Sequence, residues 1–489
     1  MKKFFSTSLA VLMAILFLVS CQTEPEPSTG TQGSDTISEG TDTVGVDTMP
    51  KLDIPEGLKY DGHTYTIFTA PTYNGNFKFQ VDYSPELLNS AAYERNVAVE
   101  ELLGITIEVE EATAEDVYPE LSAVLLAETN SPYDLVVPHC YLGVASMLSD
   151  RLLYDWNDTS VDLSMPWWNE SMSSNLEICG KLYFASSDLC VTWQGVSSLL
   201  FNKETLGKLN LTKDLYQTVF DGEWTLDLMG SLIKQKVTND LNGDQIMDTR
   251  DEYGLLIPYG FPTDFMYASN IKSTSSDENG RIVIDFNYNK MTDFVQKMYD
   301  LSHSDSTLLV RTYEQFEMMG EGRFFLALWD IGSYSSDLRQ LQDLGLSFGL
   351  LPLPKYDEDQ DGYHTICAAG IFGIPFNVED PERAAVITNA LSYFSYQKLR
   401  PAFLETTVQH KVLDSDPNAY RVLELLHEGK LFDAGFNFGY NSQMPFAPNA
   451  AYSVSVELDS ADFPAYYDAH FEQWQSYYDD LCNKIVEAE

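Results

Sequence analysis

Between Tyr65 and Pro138 the pattern of apolar and polar positions changes period four times. "YTIFTA" (65–70) and "ITIEVE" (105–110) have strand patterning, and "YDLVVP" (133–138) is a short apolar strand. Between them, "PELLNSAAYERNVAVEELLG" (85–104) and "EDVYPELSAVLLAE" (115–128) place apolar residues at helical spacing, the first with Ser84 as N-cap and Gly104 as its stop. Strand, helix, strand, helix, strand predicts a parallel sheet covered by helices, an α/β fold. Ligands of such sheets bind outside the carboxyl ends of the strands, which for the third strand means Pro138, His139, Cys140 and Tyr141.

Further along, "GKLYFASSDLCVTWQGVSSLLFNKETL" (180–206) is extended, and "WTLDLMGSLIKQK" (224–236) is an amphipathic helix with Thr225 as its cap. "GRFFLALWDIGS" is an apolar strand with Trp329 and Asp330 at its exit, and "LSFGLLPLPK" follows as strand and turn. In the last 27 residues Phe463, Tyr466, Tyr467, Phe471, Trp474, Tyr478, Leu481 and Ile485 recur at helical spacing, the signature of a core-facing stripe. Trp167, Trp168 and Trp224 are expected at lobe surfaces.

The N-terminus reads differently. Lys2 and Lys3 precede an apolar run from Leu9 to Val19, which is shorter than the ~20 residues that cross a bilayer, so residues 1–20 read as a signal peptide. Leu18, Val19, Ser20 and Cys21 resemble a bacterial lipobox, making Cys21 the expected lipidation site and tethering the protein to the outer face of the cell membrane. Residues 21–51, rich in Thr, Ser, Gly, Pro and acids, read as a flexible linker. About 430 residues remain, enough for two large lobes.

Lys and Arg number 29 against 74 Asp and Glu, a net charge of -45, which argues against nucleic acid or an anionic lipid surface as partner and suits neutral or cationic ligands. Five cysteines besides Cys21 imply no disulfide framework; Cys179 and Cys190 could meet across a hairpin, although buried thiols suit them better.

Chemical motifs are few. "GLSFG" (345–349) matches a nucleophile elbow, but Pro352 and Pro354 forbid the helix that must follow. In "DLNGDQIMDTRDEYG", Asp240, Asn242, Asp244, Ile246 (through its carbonyl), Asp248 and Asp251 fall at positions 1, 3, 5, 7, 9 and 12 of a calcium loop. Gln245 stands at position six, where Gly normally supplies a positive φ, and no exiting helix follows. A structural calcium ion is expected there.

Taken together, the lipobox, "YDLVV", the 180–206 segment, "GEWTLDLM" and "GEGRFFLALWDIGSY…FGLLPLPKYDE" resemble the extracellular solute-binding proteins of sugar-importing ABC transporters. The resemblance implies a two-lobe periplasmic-binding-protein-like (type II) fold. It places residues 52–187 and 330–376 in an N-terminal lobe, 188–329 and 377–489 in a C-terminal lobe, and crossings near 187–197, 325–329 and 375–378. It also implies a monomer that captures a carbohydrate, an oligosaccharide by preference, and hands it to ABC permease subunits. Carried onto this chain, the ligand-binding residues would be His139, Tyr141, Trp193, Gln194, Trp329 and Asp330, with Tyr334, Tyr440 and Asn441. Two other readings are a secreted, membrane-anchored carbohydrate-active enzyme and a calcium-dependent scaffold module; the second predicts a further loop that the sequence lacks.

Overall fold

The computed structural model describes residues 50–71, 77–191, 195–209, 211, 213–235, 237–331, 340–341, 343–368, 370–405, 416–440 and 444–487. Cys21, Trp193, Gln194, Tyr334 and Asn441 lie outside them.

The predicted alternation is present. Strand β1 (Thr64–Thr69) leads to helix α1 (Leu87–Leu103), then β2 (Thr106–Glu111), α2 (Val117–Ala127) and β3 (Leu135–Val137). The three strands form a parallel sheet in the order β2-β1-β3. Alternate residues of β1 enter different cores, Tyr65 and Ile67 on one face and Phe68 and Ala70 on the other, so both faces are covered as a parallel sheet requires. Gly104 ends α1 in the left-handed region (φ 70) as expected. The N-cap is Glu86 rather than Ser84: its carboxylate accepts from Leu88 and Asn89 N–H, while Ser84 Oγ accepts from Glu86 N–H one turn earlier.

The second sheet has five strands. These are β4 (Ser197–Asn202), β5 (Tyr253–Pro258), β6 (Thr307–Val310), β7 (Phe324–Asp330) and β8 (Phe348–Leu351), in the order β8-β4-β7-β5-β6. β5 runs parallel to β6 and β7, whereas β4 is antiparallel to β7 and β8. Helix α3 (Leu226–Ile233) is capped by Thr225 Oγ1, which accepts from Leu228 N–H at 3.3 Å. Helix α4 (Phe261–Ala268) follows β5 directly.

Strand pairing corrects the expected lobe boundaries. Residues 348–351 pair with β4 in the five-stranded sheet and so do not belong with the first lobe. Helix α5 (Pro381–Phe394) instead packs its buried Ala384, Ile387 and Leu391 in the core around Tyr65 and Leu135, with Tyr65 Oη 2.6 Å from Thr388 Oγ1. Residues 325–329 are no crossing, because β7 stays inside its sheet between β4 and β5. Two of the stretches leading from one sheet to the other run antiparallel, with Ala185 bridging Phe372 and Val196 bridging Cys367. Pro375, expected near a third crossing, already bridges Leu153 on the first-sheet side.

The C-terminal stripe forms helix α6 (Phe463–Val486), with Phe463, Tyr466, Trp474, Tyr478, Leu481 and Ile485 buried. The tryptophans expected at the surface are core residues. Trp167 and Trp168 both donate Nε1–H to Asn389 Oδ1 (2.7 and 2.9 Å), and Trp224 donates to Pro352 O (2.9 Å). A buried amide or carbonyl within reach of the indole N–H is what lets these large rings leave the surface. Among the described residues no helix is long and apolar enough to cross a membrane.

Candidate binding site

At the carboxyl edge of the three-stranded sheet, β3 ends at Val137 and the chain turns through Pro138 into His139. The His139 and Tyr141 rings meet edge to face at 4.4 Å, with His139 Nδ1 accepting the Tyr141 backbone N–H at 3.4 Å. That bond assigns the ring proton to Nε2. Burial holds the imidazole below its usual range, so it is neutral at neutral pH.

Tyr141 in turn touches three rings from far along the chain: Tyr440 (5.3 Å), Phe436 (5.6 Å) and Phe446 (6.0 Å). Asn437 Nδ2 donates to Cys140 O at 2.8 Å and pins the short helix 434–438 against this edge. Behind it, buried Asp433 accepts from Tyr267 Oη, Ser273 N–H and Oγ, Thr274 Oγ1 and Gly435 N–H, so the aromatic wall stands on a saturated polar anchor. Tyr440 is 40% exposed, and Phe446 also lines an open cavity of about 450 Å³ with Asn449, Tyr452, Glu457, Tyr466 and His470.

The carboxyl edge of the five-stranded sheet is chemically different. Register places Ser197, the first residue of β4, opposite Asp330, the last of β7. Asp264 enters from the first turn of α4. Ser197 Oγ lies 2.7 Å from Asp264 Oδ1 and 3.1 Å from Asp330 Oδ1. One hydroxyl has one proton, so both contacts are hydrogen bonds only when a carboxyl supplies the second. Burial, and then the neighbouring Asp330 charge, push Asp264 up to about 7; burial also raises Asp330, against the Ser197 hydrogen bond. Asp330, the last residue of its strand, is exposed to solvent, and Asp264 is partly buried beside it. No Lys, Arg or His among the described residues forms an ion pair with either carboxylate.

The two edges are joined through one turn. Thr263, beside Asp264, donates Oγ1–H to Asn449 Oδ1 (2.8 Å), and Asn449 N–H donates to Phe446 O (2.9 Å). Of the sequence-derived candidates, the structure therefore brings His139, Tyr141 and Tyr440 into one cluster and sets Asp330 at the other edge. Trp329 is corrected: alternation along β7 turns it away from Asp330 into the core beside Phe316, where it is 5% exposed. Ser197, Asp264, Phe436 and Phe446 were not singled out. A signal existed for Phe446, which ends the stretch "FGYNSQMPF" (438–446) that also holds Tyr440, whereas the meeting of Ser197, Asp264 and Asp330 depends on strand register.

The acidic loop at 240–251 is wound as a calcium loop is. Gln245 takes the positive φ (64) that position six requires, Asp240 accepts from Gly243 and Gln245 N–H, and buried Asp251 accepts from Leu241 and Asp248 N–H. No three carboxylate, His or Cys groups among the described residues converge on one metal position, and Arg250 closes on Asp244 and Asp248 instead (2.9 and 2.5 Å). A guanidinium six residues after Asp244 thus stands against two of the loop's carboxylates, Asp244 and Asp248, while Asp240, Asn242, Ile246 and Asp251 supply the other positions of the calcium spacing.

No protein-family model matches the chain, and no curated protein matches it. Solved structures do. A family 1 extracellular solute-binding protein from Bifidobacterium longum subsp. infantis superposes with a TM-score of 0.52 at 13% identity, over 88% of this chain and 100% of that one. A cyclo/maltodextrin-binding protein complexed with maltotetraose gives 0.51 at 14% (88% and 98%), and the GacH receptor of Streptomyces glaucescens, solved unliganded and with acarbose, gives 0.51 at 11% (87% and 98%). At such identities the likeness carries the architecture: the chain has the two-lobe α/β fold of the extracellular solute-binding proteins.

Proposed function

We propose that the protein is an extracytoplasmic binding protein that holds a carbohydrate between the two sheet edges and delivers it to an ABC importer, anchored to the membrane through Cys21. The observation that carries this reading is the meeting of His139, Tyr141, Tyr440 and Phe446, from sequence-distant segments, at the carboxyl edge of the parallel sheet. Sugar rings present CH faces and a rim of hydroxyls, so they need aromatic surface on one side and directional acceptors on the other. Tyr141 and Tyr440 offer the first; Asp264, Asp330 and Ser197 offer the second. The maltotetraose and acarbose named for two proteins of the same fold are oligosaccharide ligands of that kind. The open cavity behind Phe446 leaves room for further units, which favours an oligosaccharide over a single sugar.

The test is a thermal-shift screen of the protein against oligosaccharides and peptides, followed by calorimetry. Stoichiometric binding of a sugar without release of products is expected. Binding of peptides with no response to any sugar ends the carbohydrate reading, and turnover of the bound sugar ends the reading as a binding protein.

A further inference from the structure

We propose that the open cavity behind Phe446 is a second sugar subsite, in which Glu457 and His470 accept hydroxyls of an outer unit of the oligosaccharide and so select ligands by length; the proposal rests on the carbohydrate reading of the site. The cavity measures about 450 Å³, within the ~300–1,000 Å³ of small-molecule sites. Phe446 belongs to it and to the aromatic wall at once. Its ring lies 6.0 Å from Tyr141 and 5.9 Å from Tyr440, and it lines the cavity together with Tyr452, Ser453, Glu457, Tyr466 and His470. Asn449, which accepts from Thr263 beside Asp264, lines it as well, so the cavity adjoins both sheet edges. An oligosaccharide held at the wall meets this space with its next units.

Two elements wall the cavity. One is a π-helical turn (Ser453–Glu457), in which Leu458 N–H reaches back to Ser453 O at 2.9 Å. Such widened turns are uncommon and recur at functional sites. Here the turn lets Ser453 Oγ donate to Glu457 Oε2 at 2.9 Å, which orients the exposed carboxylate at the rim. The other wall is α6. His470 Nδ1–H donates to Tyr466 O at 2.7 Å, so in the neutral ring Nε2 is an acceptor. The imidazole packs on two rings, 4.2 Å from Tyr466 and 5.5 Å from Trp474, and Trp474 Nε1–H donates to Pro445 O at 2.8 Å. Pro445 precedes Phe446, so the hydrogen bond that seats the α6 wall also holds the shared ring in place.

The chemistry suits one more sugar unit. Phe446 and Tyr452 offer ring surface, and the Glu457 carboxylate with His470 Nε2 offers acceptors, the pairing that a sugar ring with CH faces and a rim of hydroxyl donors requires. The lining takes nothing from residues 139–141 or from Ser197, Asp264 and Asp330, so a ligand too short to pass Phe446 makes none of these contacts. A longer one makes them in addition to those at the wall. Affinity then rises with the number of units, and the rise belongs to Glu457 and His470 rather than to Tyr141.

The experiment measures affinity by calorimetry for malto-, cello-, xylo- and manno-oligosaccharides of two, three and four units, on the full chain and on Glu457→Ala and His470→Ala. In a series that binds, the wild-type protein is expected to hold the longest member about tenfold or more tightly than the shortest. Each variant should weaken the longest about five- to tenfold and leave the shortest within about twofold, since a lost hydrogen bond to a charged or buried partner is of that size. His470 packs on two rings, so its variant is read only where the Tm is kept; Glu457 is exposed and its variant carries the test alone if His470→Ala does not fold. Equal wild-type affinity for short and long members overturns the subsite and leaves the carbohydrate reading standing. So does an equal loss for short and long ligands in Glu457→Ala, or no loss for either. Failure of every series to bind ends the carbohydrate reading and the subsite with it.

Discussion

The two carboxyl edges share a topological position and differ in almost everything else. The edge of the three-stranded sheet ends in rings, those of His139, Tyr141, Tyr440, Phe436 and Phe446, with the imidazole kept neutral by burial. The edge of the five-stranded sheet ends in two carboxylates bridged by one serine hydroxyl. A wall of rings binds by area and tolerates small shifts of its ligand. A carboxylate pair binds by direction and by proton count, and tolerates neither a missing donor nor an extra charge. Together they suit a ligand with two unlike faces.

The largest expected effect tests the wall. Tyr141 is the ring through which the others connect, so Tyr141→Ala should weaken oligosaccharide binding by about 1.5–3 kcal/mol, roughly 10- to 150-fold. Calorimetry reads the loss, and an unchanged far-ultraviolet spectrum shows that the fold survives. A change below twofold would mean that the wall is core packing alone.

A smaller effect tests the carboxylates through pH. Asp264 is raised in the folded protein to about 7, so the folded state holds a proton that the unfolded state has released. The sign follows: this site's contribution to stability falls as pH rises from about 4 to about 7. Sugar hydroxyls donate to the ionised form, so affinity should move the other way, rising several-fold across the same window. Asp264→Asn should flatten both trends, measured as Tm and as affinity between mildly acidic and neutral pH. Parallel trends in the two quantities would break the assignment of Asp264 to the ligand.

The smallest effect concerns the acidic loop, which belongs to neither edge. With Arg250 bound to Asp244 and Asp248, calcium should move the Tm of the wild-type protein little. Arg250→Ala leaves the left-handed loop and its carboxylates without that cation, and calcium should then raise the Tm measurably in scanning calorimetry. Sugar affinity should be the same in both proteins.

The fold was legible wherever local period and burial agree. The β-α-β-α-β run, the Gly104 stop, the Thr225 cap and the C-terminal aromatic stripe each rest on contacts within a few residues. Lobe boundaries were not legible, because an apolar strand such as Phe348–Leu351 fits either sheet and only pairing with β4 decides between them. Tryptophan placement failed for a related reason: a surface or core position for Trp167 and Trp168 turns on whether Asn389, more than 200 residues away, supplies an acceptor. Trp329 and Asp330 show the same limit within one strand, since adjacent strand residues point to opposite faces.

By itself the sequence determined the grammar of a parallel α/β sheet, the position of its carboxyl edge at His139 and Tyr141, and the winding of the acidic loop, because these depend on backbone preference and on side-chain period. Tertiary structure alone decided that Tyr440 and Phe446 close on Tyr141, that Ser197 stands between Asp264 and Asp330, and that Arg250 sits among the loop carboxylates. Side-chain period says which residues share a face. Which distant faces meet is set by the free energy of burying them together, and no local pattern encodes that sum.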